Sequence, residues 1–370
     1  MLPESAVGQL ALLLGVIYLL DCFRWVARNA AVFRVVWPLP PAVGGAWQIA
    51  AQFKRALVFG FPLPPFGSVL TAEDWPFVVG AHGVRFLAHD VPLHAAPTAS
   101  ERFVPWSQVA QVRLEELSLM LDGARLHTFG SRRAARGAVE LLSSLAKAEQ
   151  GMRGKLLGKA LEARCEVEAV KARLAAWRTR RAVMGVANVA FFIALFGLLG
   201  AALEGVDVRP WMLAATGGSW LFALVATVIM VRRLEPQLRP ALGAQVVALV
   251  SPVSLMRSHD LVEPEWVADL HPAAVAVAVL PTPDARRFVE ARLRAAEHPV
   301  RLAGALDEGD AGADDGQSRA LHVAQYRALL AKLGGEATAA PKGPHCPRCL
   351  TEYTSAATGC DRCPGVALRS

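Results

Sequence analysis

Apolar and polar positions divide the chain into three uninterrupted apolar runs and several patterned stretches. Ala182 to Leu203 is 22 residues without a charge. As a helix it covers roughly 33 Å, enough for a hydrocarbon core of about 30 Å. Trp211 to Val231 is a second run, of 21 residues. Only the segment 204–210 separates the two, so they predict a helical hairpin. Ser5 to Leu20 is a shorter run that Asp21 ends. It spans if Asp21 and Arg24 lie at an interface with Tyr18 and Trp25. No basic stretch precedes it and no small-residue cleavage site follows it, which argues against a removed leader.

The patterned stretches predict a small sheet, then helices. Pro38-Leu39-Pro40-Pro41 and Pro62-Leu63-Pro64-Pro65 mark residues 24–66 as an extended, Pro-rich elbow. From Ser68 to Phe129 short apolar runs alternate in strand fashion, with Asp122-Gly123 as a two-residue hairpin turn. Ser131 is placed to cap a helix through Lys147. Gly154 to Arg181 repeats apolar residues every three or four positions and reads as one basic amphipathic helix. Residues 232–333 read as helices with Pro-marked starts, Asp307 to Gln317 as an acidic loop, and 334–344 as a linker.

The phrase Val104-Pro105-Trp106-Ser107-Gln108-Val109, the Asp-Gly hairpin and the closing helix resemble the pleckstrin-homology-like domains of bacterial membrane proteins. The resemblance covers 68–147 and implies a docking module or a spacer. No basic cluster in its first hairpin supports phosphoinositide binding. The Pro-Leu-Pro-Pro phrase, His271 to Ala276 and the terminal cysteines together resemble uncharacterised bacterial integral membrane proteins with a C-terminal zinc ribbon. That wider resemblance implies no activity.

Composition changes the picture in one respect. The apolar fraction is 54 %, charged residues are 19 % and the mean hydropathy is +0.33. An ordinary soluble domain is less apolar and more charged. The expected fold class is therefore a multi-pass membrane protein, mainly α. It carries an antiparallel β module closed by a helix, a helical second region and a C-terminal zinc ribbon. The expected organisation is transmembrane helices at 5–20, 182–203 and 211–231, the β module at 68–147, a basic helix at 154–181 and the ribbon at 345–370.

The net charge of +7 has one address. Ser131 to Arg181 holds 13 basic and 5 acidic residues, so it carries +8 and the remainder −1. A basic flank beside an apolar run reads as a membrane anchor rather than a nucleic-acid surface. Arg24, Arg28, Arg178, Arg180, Arg181, Arg232 and Arg233 all sit at run ends on one side. They place the N-terminus outside a bacterial inner membrane, with the main domains and the C-terminus cytosolic.

The one specific chemical motif is in the tail. Cys346-Pro347-Arg348-Cys349 and Cys360-Asp361-Arg362-Cys363 are two C-x-x-C knuckles. Two matched thiol pairs suit one tetrahedral Zn²⁺ held structurally, with no open position. Two disulfides, two redox pairs or an iron centre are the competing readings. Arg348 and Arg362, inside the knuckles, offset the charge of such a cluster. The tail then carries too little positive charge for phosphate contacts, so nucleic acid is not an expected partner. His82, His89, His94 and Asp90 cluster in sequence without a ligand spacing and read as loop residues. No nucleotide-binding or hydrolase motif is present. The expected function is a non-enzymatic inner-membrane adaptor or assembly protein, with the bilayer and cytosolic proteins as partners and no identifiable small-molecule ligand. The alternative is an accessory subunit of an envelope transport or biogenesis complex.

Overall fold

The computed structural model describes residues 30–36, 45–49, 67–86 except 74 and 76, 102–176, 197–246 except 199, 208 and 244, 264–299, 310–334, and 341–369 except 355, 356, 358, 362, 364 and 365. The apolar run 5–20, most of 182–203, and His89, Asp90 and His94 lie outside them.

Strand alternation builds three antiparallel sheets of three strands each. In the first, β1 (Ala30–Val36) lies between β2 (Gly45–Ile49) and β3 (Gly67–Glu73). Two of its strands come from the segment that reads as a Pro-rich elbow. The second sheet is the meander β4 (Phe77–Val79), β5 (Gly83–Phe86) and β6 (Arg102–Pro105). The third is β7 (Val112–Glu115), β8 (Ser118–Leu121) and β9 (Ala124–Thr128). Asp122 and Gly123 join β8 to β9 with φ of 47° and 82°. This is the double left-handed turn that matches strand twist. The Asp122 carboxylate also accepts from the amides of Ala110 (3.0 Å) and Gln111 (2.7 Å), which ties the turn to the entry of β7.

Helix α1 (Arg132–Lys147) lies over these two meanders. The Ser131 hydroxyl caps it by accepting from Ala134 N at 3.0 Å. Its buried face, Ala134, Ala135, Ala138, Leu142 and Leu145, packs on Phe77, Val84, Trp106, Leu119 and Phe129. The Trp106 indole N–H donates to Gly80 O at 2.9 Å, so the largest core ring is also satisfied. Helix α2 (Gln150–Arg164) follows, and Arg153 turns back to donate to Leu145 O and Ala148 O, both at 3.0 Å. A cation on the last carbonyls of α1 satisfies acceptors that the helix itself cannot.

The single helix expected over 154–181 is broken. α2 stops at Cys165, and the chain is helical again over 167–176. The break frees Arg164 O to accept from His271 N at 2.8 Å. It also turns Val167 and Val170 into a second core.

That second core is helical. It joins α3 (Arg209–Arg232), α4 (Pro264–Val267), α5 (Pro272–Val279), α6 (Thr282–Glu297) and α7 (Asp310–Leu333). The acidic segment 307–317 is not a loop throughout, since α7 begins at Asp310.

The multi-pass membrane fold expected from the apolar runs is overturned. Among the described residues no helix is long and apolar enough to cross a membrane. The run Trp211 to Val231 lies in α3, a continuous helix of 24 residues. One face of the last turns of α3 meets the core, where Ala226, Met230 and Val231 join Val267, Phe288 and Val289, while Leu221, Phe222, Val225, Val228 and Ile229 stay exposed.

His271 and Glu265 show how the helical core is fastened. The His271 imidazole caps α5, its Nδ1 accepting from Ala273 N at 3.1 Å. The proton is therefore on Nε2, which donates to Tyr326 Oη at 3.3 Å. Glu265 reaches the other core. Its two carboxylate oxygens accept from the amides of Arg132 (2.7 Å) and Arg133 (2.9 Å), the first residues of α1. The Arg133 side chain returns a bond from Nε to Glu265 O at 2.9 Å.

Two predictions follow from these contacts. Glu265→Ala leaves two amides and a helix N-terminus unmet, and should cost roughly 2–3 kcal/mol of unfolding free energy in urea titration. Glu265→Gln keeps one acceptor and should cost clearly less; equal losses would mean the pairing contributes little. Burial holds the His271 imidazole well below its ordinary 6.5, with His322, Arg164 and Arg292 pushing the same way. The unfolded chain therefore binds this proton more readily than the folded one. Stability from this residue is fully present above about 6.5 and is lost as the pH falls below it. His271→Asn keeps a capping acceptor, and should flatten that part of the stability-against-pH curve.

Candidate metal centre

The tail has almost no apolar side chains with which to fold. Its buried cluster is Cys346, Cys360, Cys363 and Val366, with Cys349, Tyr353 and Leu368 packed against it. Three of the four buried members are the knuckle cysteines themselves. Backbone pairing supplies the frame. His345 N donates to Arg369 O at 2.7 Å and Arg369 N to His345 O at 2.8 Å. Tyr353 N donates to Pro344 O at 2.7 Å, so three short extended pieces bracket the two knuckles.

Each knuckle is a tight turn. In the first, Leu350 N closes back on Cys346 O at 2.8 Å, and Leu350 adopts a φ of 58°. This left-handed conformation is one that glycine adopts without strain. After the second, Val366 N donates to Cys363 O at 3.1 Å. The turns bring Cys346, Cys349, Cys360 and Cys363 together, with their four sulfurs all within 4.8 Å of one another. All four are free thiols.

The spacing separates a metal site from bonded disulfides. Bonded sulfurs lie about 2.05 Å apart. A tetrahedral ion with metal–sulfur bonds of about 2.3 Å sets its sulfurs about 3.8 Å apart. Cys349 Sγ and Cys360 Sγ are 3.7 Å apart. The four sulfurs can therefore hold one metal ion, and the donor set fits it. His345 takes no part. Its Nδ1–H donates to Gly343 O at 2.9 Å.

The surroundings treat the cysteines unequally. Burial pushes the Cys346 thiol up to about 11. Burial and the neighbouring sulfurs push Cys363 up as well. Burial acts the same way on Cys349, but hydrogen bonds with the Thr351 hydroxyl and amide and with Cys346 and Cys360 together hold this thiol below its ordinary value. Thr351 Oγ1 is 3.2 Å from Cys349 Sγ. Tyr353 Oη lies 3.1 Å from Cys360 Sγ and also contacts the Asp361 carboxylate.

The knuckle arginine does more than offset charge. The buried Arg348 reaches from between Cys346 and Cys349 to the end of α6. Its Nη1 donates to Ala295 O at 2.9 Å and His298 O at 2.6 Å. Burial weakens the protonated form of Arg348, and the facing sulfurs Cys363, Cys346 and Cys349 oppose that. The arginine is visible in the sequence, but its partner on α6, some fifty residues earlier, is not. Thr351 and Tyr353 carry no sequence signal either. Of the histidines in the early cluster, His82 lies within the second sheet's first turn, where its carbonyl accepts from Trp106 N at 2.8 Å.

Metal uptake must displace the protons that burial holds on Cys346 and Cys363. Apparent affinity should therefore fall as pH falls, by roughly tenfold per pH unit for each displaced proton. Competition with a chromophoric chelator between pH 6 and 8 should show a slope of at least two protons. A flat profile would mean the sulfurs are not the ligands.

No protein-family model, curated protein or solved structure matches the chain, so the centre is defined by its own geometry.

Proposed function

We propose that the tail holds one structural Zn²⁺ on Cys346, Cys349, Cys360 and Cys363, and that the chain is a non-enzymatic adaptor or assembly protein. The observation that carries this reading is the closed set of four sulfurs, itself the core of a segment seated on a helix end. Four soft donors at tetrahedral spacing suit Zn²⁺. They leave no position for water or substrate, so the ion's part is to fold the ribbon. Arg348 is committed to α6, which removes a cation that a nucleic-acid surface would need and favours protein as the partner. The β module beneath α1 is the other docking element.

The purified full chain should contain one Zn²⁺. Cobalt in its place should give the intense visible bands of tetrahedral thiolate coordination. Cys360→Ser should weaken binding strongly, while His345→Ala should leave stoichiometry and bands intact. Bands lost with His345, or more than one ion per chain, would overturn the ligand set. Affinity capture in parallel tests the adaptor role: proteins held by the wild-type chain should be lost with Cys360→Ser.

A further inference from the structure

We propose that the ribbon is a metal-dependent clamp, which locks the C-terminal tail onto the end of α6 through Arg348 and releases it when the metal is withdrawn. The inference rests on the reading that the four cysteines hold zinc.

Three observations combine. The first is where Arg348 sits. It is the third residue of the first knuckle, so its backbone direction is set by Cys346 and Cys349 facing one common centre. The turn that presents it is closed by Leu350 N on Cys346 O at 2.8 Å, with Leu350 in the left-handed region that its side chain does not favour. Something must hold that turn. The second is what the ribbon has for a core. Its buried residues are mostly the cysteines, so without an ion the sulfurs have no common centre and the turn has no support. Small segments of this kind fold with their metal and unfold without it.

The third is what Arg348 touches. Ala295 O and His298 O lie at the C-terminal end of α6, where carbonyls lack partners within the helix. A guanidinium there satisfies two acceptors and meets the negative end of the helix. Arg294, in the last turn of α6, faces Cys349 as well. Zinc with four thiolates carries a charge of −2, so the loaded ribbon attracts both arginines. The tail therefore gains its docking geometry and its charge complementarity together, when the ion binds. Release would uncover the end of α6, and with it a helix terminus able to accept donors from another protein.

The parallel cap on α1 supplies an internal control. Arg153 also bridges two terminal carbonyls, Leu145 O and Ala148 O, but it projects from α2 and has no link to the cysteines.

Amide hydrogen exchange on the full chain tests the clamp, with bound zinc measured in the same samples. With one zinc per chain, the amides of 294–298 should be protected. A strong zinc chelator should raise their exchange on the order of tenfold, together with that of 345–353, while residues 145–148 stay unchanged. Arg348→Met keeps the apolar stem, and should expose 294–298 while zinc remains bound one to one. Zinc bound one to one with no change at 294–298 on chelation would overturn the clamp and leave the zinc reading intact. An unchanged 294–298 in Arg348→Met would do the same. Failure to bind zinc would overturn the zinc reading, and the clamp with it. If Arg348→Met does not fold, the chelator comparison on the wild-type chain decides.

Discussion

The bond between the Glu265 carboxylate and the first amides of α1 is the constraint on which the two halves depend. The Ser131 hydroxyl satisfies one orphan amide of α1, and Glu265 satisfies two more from the far side of the chain. A carboxylate at a helix N-terminus gains from both hydrogen bonds and dipole. Burial raises the cost of its charge, so the pair holds only where α1 and α4 meet closely. That fixes the β module against the helical body. Ala268, one residue after α4, then lies in the β module's own core.

Arginine does the matching work at helix C-termini. Arg153 binds back on α1, and Arg348 reaches α6. Arg164 acts beside them. Its guanidinium lies 3.9 Å from the Trp75 ring centroid, its Nε donates to Asp269 O at 3.1 Å, and its carbonyl receives His271 N. Apart from the contact with the Trp75 ring, these contacts satisfy backbone groups. Three of the chain's 32 arginines have this use in the fold. A guanidinium's several fixed donors can bridge two carbonyls at once.

The tail obeys a different rule. It has too few apolar residues to bury, so a centre of four sulfurs takes the place of a core. The buried Arg348 joins it to the end of α6, and the knuckle that presents that arginine is itself part of the metal site.

Local chemistry determined much of this by itself. Asp122-Gly123 demands a tight hairpin, Ser131 a helix start, and two C-x-x-C knuckles a four-sulfur site, because each signal depends on neighbours a few residues away. For the described run Trp211 to Val231, hydropathy reports that a segment is apolar, not which of its residues become covered. Only the tertiary structure shows Met230 and Val231 in a protein core. The break at Cys165 has no local breaker, and the bond that accompanies it, from His271 N to Arg164 O, lies across the fold. Glu265 on α1 and Arg348 on α6 are equally silent in sequence. Each joins a charge to backbone groups far along the chain, and backbone groups are the same in every residue. Which of them stand unsatisfied, and within reach, is decided only when the helices have packed.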